Sequence, residues 1–441
     1  LLKREVGYTT PNELEAMPRR YTGAKRKRYE KALQDYIRSG ITKVNAGIKM
    51  FVKQERMNPH AKRDPDPRAI QFRDSRYCVV LASYLHPIEE RLYQLDCASK
   101  GVPRSRNIAK GLNSPARAQL LVSKMDAFDS PVVLSLDASR FDKHVSLELL
   151  ELEHSVYLGS NSDPFFRTLL SWQLHNKCFS NLGLRYKARG RRMSGDMNTA
   201  AGNCLLMLMM LLSYFENSAV SKWDCLDDGD DVLVIVESNE AASLSDIQDV
   251  FLTYGMSLKI ENRVTSLHSV IFCRSQVVEY SPNKFKFVRN YQVVISQALS
   301  GVRHWTNATY RRRVLAAIGT CELVLNLGVP ILQAFAECIL RNVNNGKPVD
   351  LDLAPEGLRA RAKRDLRGLG GMPANLQSVP VQPCARHSFA IAFGLSEFEQ
   401  LELENKLSRW SFDCDHLLVH GDEIHAASWL VEQTSHDLYG Q

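Results

Sequence analysis

Apolar positions in this chain recur at two spacings, and the switches between them mark out its elements. Residues 1–50 read as mostly helical and strongly basic, with the cluster Lys25-Arg26-Lys27-Arg28. Residues 47–80 mix extended stretches with turns around Pro59, Pro65 and Pro67. Tyr84 to Leu95 and Ser146 to Leu158 have helical spacing, and between them Val132 to Leu136 predicts a short buried strand ending at Asp137. Leu184 to Arg192 is polar, basic and extended, and runs into Ser194-Gly195. A helix is expected from Thr199 to Phe215. Its apolar run, Cys204 to Phe215, is too short to cross a bilayer and predicts a buried helix. Trp223-Asp224-Cys225-Leu226 and Val232 to Val236 then predict two strands joined by a turn, Asp228-Gly229-Asp230-Asp231.

A helix near 240–254 and extended segments at 256–260, 270–278 and 284–294 follow, and from about 300 the spacing is helical. Residues 368–384 are rich in Gly and Pro and predict a loop between two helical groups. Ser396-Glu397-Phe398-Glu399 has capping-box spacing and opens an acidic amphipathic helix. Strands and helices interleave without regular β-α-β alternation, so the expected class is α+β.

Composition adds little beyond a folded protein of two or three lobes, with 44% hydrophobic and 24% charged residues in 441. Charge distribution adds more. Residues 1–130 hold 26 Lys/Arg against 14 Asp/Glu, whereas residues 131–441 hold 30 against 35. A basic first third beside an acidic remainder suits a polyanion channel next to a metal centre; a solvated surface is the plainer reading. Ten cysteines with no Cys-x-x-Cys pair argue against a zinc ribbon and for reduced thiols in an intracellular setting. Cys414, His416 and His420 lack a fourth ligand and read as structural. No signal peptide is visible, and Leu1 in place of methionine suggests a piece of a longer product.

The acidic turn is the strongest chemical signal. Adjacent carboxylates at a tip repel one another unless a cation neutralises them, and hard oxygens suit Mg²⁺ or Mn²⁺. Taken alone, such a turn is better explained by solvation, since acidic turns are common on protein surfaces. Asp137, at a strand end, supplies a partner. Asp137 and Asp230 could hold two ions ~3.5–4 Å apart for in-line phosphoryl transfer. Asp142, five residues on, either belongs to this group or caps the helix that follows. Ser194-Gly195-Asp196-Met197-Asn198-Thr199-Ala200-Ala201-Gly202-Asn203 is a polar loop entering a helix, with Thr199 and Asn203 on one face. By itself it is an ordinary helix start.

Together, residues 47–80, Asp137–Asp142, Ser194–Asn203 and Gly229–Asp231 have the order and rough spacing of viral RNA-dependent RNA polymerases. Leu136-Asp137-Ala138-Ser139-Arg140-Phe141-Asp142-Lys143-His144-Val145-Ser146 and the Ser194–Asn203 decapeptide resemble the tombusvirus and carmovirus branch of plus-strand viruses. The likeness covers most of 20–295 and fades beyond.

That resemblance implies a right-hand fold with fingers, palm and thumb, an antiparallel palm sheet flanked by helices, and fingers joined to the thumb. It implies fingers over 1–130, palm over 131–155, a fingers insertion over 156–192, palm again over 193–292, and thumb with C-terminal helices over 293–441. Asp137 and Asp230 would be metal ligands for two Mg²⁺ or Mn²⁺ ions, with Asp231 supporting. Asp142 and Asn203 would sense the ribose 2′-hydroxyl, helped by Thr199 and Ser194. A hydroxyl that both donates and accepts suits a carboxylate–amide pair. Lys53-Gln54-Glu55-Arg56 and Pro67 to Arg73 resemble the basic finger motif over the triphosphate, so Lys53, Arg56, Arg68 and Arg73 would contact NTP phosphates. Lys259 would protonate the leaving pyrophosphate. Gly195, Lys62 and Arg274, the last in the turn Phe272-Cys273-Arg274 that resembles a primer support, would contact RNA. Arg311 to Arg313 and the Arg359–Arg367 cluster could track phosphates or be solvated helix faces.

The expected function is RNA-directed RNA polymerisation from NTPs on a plus-strand viral genome, with primer-independent initiation. The expected partners are template and nascent RNA and other viral replication proteins. The expected place is the host cytoplasm, at membrane-associated replication complexes, with any membrane tether in a missing segment or a partner. A non-catalytic RNA-binding scaffold would lack one of Asp137, Asp230 and Asp231, and all three are present. A metal-dependent phosphohydrolase leaves the Ser194–Asn203 loop and the basic finger motif unexplained.

Overall fold

The computed structural model describes residues 2–53, 67–299, 307–343, 349–373, 375–412 and 414. Eleven strands occur among them: β1 Ile48–Val52, β2 Ala69–Phe72, β3 Pro131–Ala138, β4 His175–Ser180, β5 Arg185–Arg189, β6 Trp223–Asp227, β7 Asp231–Glu237, β8 Leu258–Val264, β9 Ile271–Phe272, β10 Ser275–Ser281 and β11 Lys284–Arg289. They form three sheets in the orders β2-β1-β4-β5, β6-β7-β3-β8 and β11-β10-β9. With helices as the larger share, this is a mixed α+β protein.

Packing divides the chain into two compact units. The first comprises residues 1–110 and 126–263, the second 111–125 and 264–441. The strands between 271 and 289, grouped with the palm in the sequence reading, and the helix Ser114–Met125, grouped with the fingers, both lie in the second unit.

The first unit is built around the helix Thr199–Glu216, buried on nearly every face, as its continuous apolar run requires. It is the one described helix with the length and hydropathy of a membrane span, and 67% of that span is buried inside the fold. It shares a core with the helix Ser75–Leu92, the helix Leu147–Ser160, and the inner faces of β3, β6 and β7. β3 and β7 pair antiparallel with Pro131 opposite Glu237 and Asp137 opposite Asp231, and β6 pairs with the far edge of β7. β7 and β3 are the sheet's middle strands, and their largely apolar runs are buried on both faces.

The second unit has its own core, where the helices Ala308–Asn326, Leu332–Val343 and Pro383–Phe393 meet the β9–β11 sheet. The expected extended stretch 284–294 is interrupted. Asn290 ends β11 and caps the helix Tyr291–Ala298, its side chain accepting the amides of Gln292 and Val293. The capping box at Ser396 forms as its spacing predicts, and residues 369–382 contain no helix or strand among those described.

Candidate active site

β3 and the β6–β7 hairpin bring the acidic residues to one end of their sheet. Asp137 and Asp231 face each other in register across β3 and β7. The turn between β6 and β7 is closed by the Asp228 amide donating to the Asp231 carbonyl, 2.9 Å, and Gly229 holds φ +100°. The Ala138 amide donates to the Asp230 carbonyl, 2.9 Å, so the strand end and the turn are bonded directly. Like charges directly opposite on paired strands destabilise a sheet. The electrostatics register that conflict: burial first, then the charges of Asp230, Asp137, Glu261 and Asp228, push the Asp231 carboxyl up to about 6.

These carboxylates fit a hard divalent ion. Among the described residues no three His, Cys, Asp or Glu side chains form a metal cage. A Mg²⁺ site completed by substrate phosphates and water needs only one or two carboxylates from the protein. Asp137 and Asp230, with Asp231 beside them, supply that number.

The two neighbours of the turn differ in role. Asp228 forms an ion pair with Lys110, 3.1 Å, and Lys110 is held up at about 12 by this charge despite its burial. Asp227 is fully buried. One oxygen accepts the Gly229 amide, 2.7 Å, fixing the entry to the turn, and burial drives its carboxyl far above the usual range.

Asp142 sits in a single helical turn, Phe141–His144, whose N-cap is Arg140 in the left-handed region. Asp142 is therefore not a cap; Ser146 caps the next helix by accepting the Leu149 amide. The Asp142 carboxylate accepts from the Asn203 side-chain amide, 2.8 Å. Burial raises its pKa, while Asn203 and Arg192 pull it down. Asn203 is 8% exposed, and a Cβ placed on Gly229 would meet the Asn203 Cβ at 3.3 Å. The acidic turn thus rests on the residue paired with Asp142.

The Ser194–Asn203 loop docks on β2. The Gly195 amide donates to the Gln71 carbonyl, 2.8 Å, and the Ser194 hydroxyl accepts the Gln71 amide, 3.2 Å. A Cβ on Gly195 would stand 2.5 Å from that carbonyl, so only glycine permits the approach. The Thr199 hydroxyl is turned back into the loop, within 3.0 Å of the Met193 and 2.9 Å of the Asp196 carbonyls, rather than towards Asp142.

Arg73 corrects the sequence reading. Expected at the NTP phosphates, it is 2% exposed and grips both oxygens of Asp196, at 2.5 and 3.1 Å, while donating to the Ala46 carbonyl, 2.6 Å. A guanidinium so engaged fixes the loop and cannot reach a ligand. Lys53 and Arg68 meet through their main chains, 2.8 Å, one step beyond the Val52–Ala69 pair of β1 and β2. Arg56 and Lys62 lie outside the described residues. Lys259 is exposed on β8, which begins beside the end of β3 through the bond from the Ser139 amide to the Ser257 carbonyl, 2.9 Å. Arg274 is exposed in the second unit, in a turn where Cys273 and Arg274 both adopt positive φ.

Sequence reasoning missed Arg192, Glu153, Asp196 and Lys110. Glu153 carried a readable signal: it lies between Leu150 and Tyr157 on the buried side of its helix, where a lone carboxylate demands a partner.

With this geometry in place, the chain can be compared with known proteins. The family model described as Viral RNA dependent RNA polymerase matches residues 1–415, and the chain belongs to that family. Among curated relatives, the RNA-directed RNA polymerase of oat chlorotic stunt virus is 35% identical over 410 residues, 89% of this chain and 53% of its own. Those of tomato bushy stunt virus and turnip crinkle virus are 33% and 32% identical, over 89% and 94% of this chain and 47% and 52% of theirs. The chain spans about half the length of the curated relatives it matches.

Proposed function

We propose that this chain is the polymerising portion of a plus-strand RNA virus replicase. It adds nucleotides from NTPs to an RNA 3′-hydroxyl under the direction of an RNA template and releases pyrophosphate. The observation that carries this reading is the seating of Gly229 on Asn203, which places the metal-type carboxylates beside a carboxylate–amide pair suited to a 2′-hydroxyl. A phosphohydrolase has no use for the second half of that arrangement.

In this reading Asp137 and Asp230 hold two Mg²⁺ or Mn²⁺ ions, with Asp231 supporting. Bound, the ions supply Lewis acidity at the reacting phosphate and lower the pKa of the attacking hydroxyl. Asp142 and Asn203 accept from and donate to the ribose 2′-hydroxyl. Lys53, just after β1, and Arg68, just before β2, neutralise the triphosphate. Lys259 delivers a proton to the leaving group.

The first unit supplies fingers and palm in this assignment, and the C-terminal helices supply the thumb, with fingers joined to thumb. Primer-independent initiation, other viral replication proteins as partners, and work at membrane-associated complexes in the host cytoplasm complete the proposal.

Template-dependent incorporation of labelled NTP tests it directly. Wild type is expected to incorporate label, and Asp230→Ala to lose incorporation by about a thousandfold, the scale of removing a principal electrostatic group from an active site. Equal incorporation by the two proteins would sink the assignment.

A further inference from the structure

Behind Asn203 lies a continuous run of polar groups inside the first unit. The Asn203 carbonyl oxygen accepts from Arg192 Nε, 2.9 Å. Arg192 extends its two terminal nitrogens to the two oxygens of Glu153, Nη1 to Oε1 at 3.2 Å and Nη2 to Oε2. Both side chains are 0% exposed. Glu153 also accepts from the Asn198 amide, 2.6 Å; Asn198 accepts from Gln173, 3.0 Å; and Gln173 meets His154, 3.1 Å. Arg192 holds the other half of the pair too, since its main-chain amide donates to the Asp142 carbonyl, 3.0 Å. Gly202 has no Cβ because one would overlap Glu153 and Arg192.

A fully buried ion pair is a poor means of stabilising a core, because apolar side chains of the same volume do as well without the desolvation cost. Its geometry has another use. The two ends of an asparagine amide have nearly the same shape, and a half-turn about the terminal bond exchanges donor for acceptor. Arg192 can only donate. It therefore fixes the Asn203 oxygen on its own side and turns the amide nitrogen towards Asp142. Glu153, by engaging both terminal nitrogens, holds the guanidinium plane that makes this possible.

We infer that Arg192 and Glu153 are positioning residues for sugar selection: they set the orientation of the Asn203 amide, and Arg192 sets the main chain of Asp142, so that the two stay aligned on a ribose 2′-hydroxyl. This rests on Asp142 and Asn203 being the ribose-reading pair. Neither positioning residue touches the nucleotide. The chain of contact runs from the helix Leu147–Ser160 through Arg192 to the helix Thr199–Glu216, and ends at the surface Gly229 rests on.

The test is the ratio of incorporation efficiency, kcat/KM, for NTP against the matching 2′-deoxy-NTP, measured with the full chain and a defined RNA template. Arg192→Lys keeps the charge and removes the Nε donor. Glu153→Gln keeps the volume and removes the charge that orients the guanidinium. Each is expected to lower the NTP preference by roughly tenfold, the worth of one hydrogen bond in a charged setting. In an Asn203→Ala background, Arg192→Lys should change the ratio no further. A merely structural role would reduce both efficiencies together and leave the ratio alone. An unchanged ratio in a variant that unfolds cooperatively, while Asn203→Ala has lost its preference, overturns the positioning role. An unchanged ratio in Asn203→Ala itself removes the ribose-reading pair, and the positioning role with it. If Arg192→Lys does not fold, Glu153→Gln carries the same readout.

Discussion

Residues in this chain change meaning once their partners are known. Arg73 looks from sequence like a phosphate contact, since it stands in a basic motif beside Arg68. Its neighbours in space assign it to Asp196 instead. The consequence is measurable. Arg73→Met leaves Asp196 buried without its cation, so the expected result is a loss of about 3–5 kcal/mol in stability by urea unfolding, the usual cost of breaking a buried pair. Under conditions where the variant is still folded, its KM for NTP should match wild type. A raised KM at unchanged stability would return Arg73 to the phosphates. The sequence points to Asp137, Asp142, Asp230 and Asp231 because the spacing within each motif is local, and strand register brings Asp137 opposite Asp231. It could not name what Arg73 grips, because Asp196 is 123 positions away.

Elements were legible where one strong pattern ruled. The helix Thr199–Glu216 is expected to within a residue, because a twelve-residue run broken only by Ser213 has few alternatives once bounded by a polar loop. β3 is similarly plain. Legibility failed where burial was thin or a cap overrode propensity. The helix Ser114–Met125 buries only Ala118, Leu121, Lys124 and Met125, and a lysine on the buried side hides the stripe. At the end of 284–294, Val293 and Val294 look extended by β-branching, yet the Asn290 side chain starts a helix there. The helix Pro164–Ser171 has a clear start signal in Asp163 followed by Pro164, with the Asp163 side chain accepting the Phe165 amide. Capping also yields a prediction. Ser396 accepts the Glu399 amide while Glu399 accepts the Ser396 amide, 2.7 Å. Ser396→Ala should cost about 1 kcal/mol, read as a lower urea midpoint with unchanged slope. A change within error would mean that the exposed box contributes nothing to the second unit.

The ten cysteines are distributed through both units, and all but Cys273 and Cys384 are buried. Burial pushes the thiols of Cys78, Cys97 and Cys321 from 9.0 up to about 12. The folded chain therefore keeps protons that the unfolded chain releases above pH 9. Stability from these groups is complete below pH 9 and declines as pH climbs towards 12. Under reducing conditions the urea midpoint should fall steadily above pH 9, and the triple variant Cys78→Ala, Cys97→Ala, Cys321→Ala should show a shallower fall. Equal slopes would mean that other groups control the alkaline limit. The close approach of Gly229 to Asn203 has a bearing on inhibition. On the proposed reading of Asn203 as a ribose contact, a substitution there that excludes a nucleotide altered at the 2′ position would also change the residue that Gly229 lies against, beside Asp230 and Asp231. Escape from such a compound through that residue is tied to slower copying, so resistant lineages should carry a growth penalty when the drug is withdrawn.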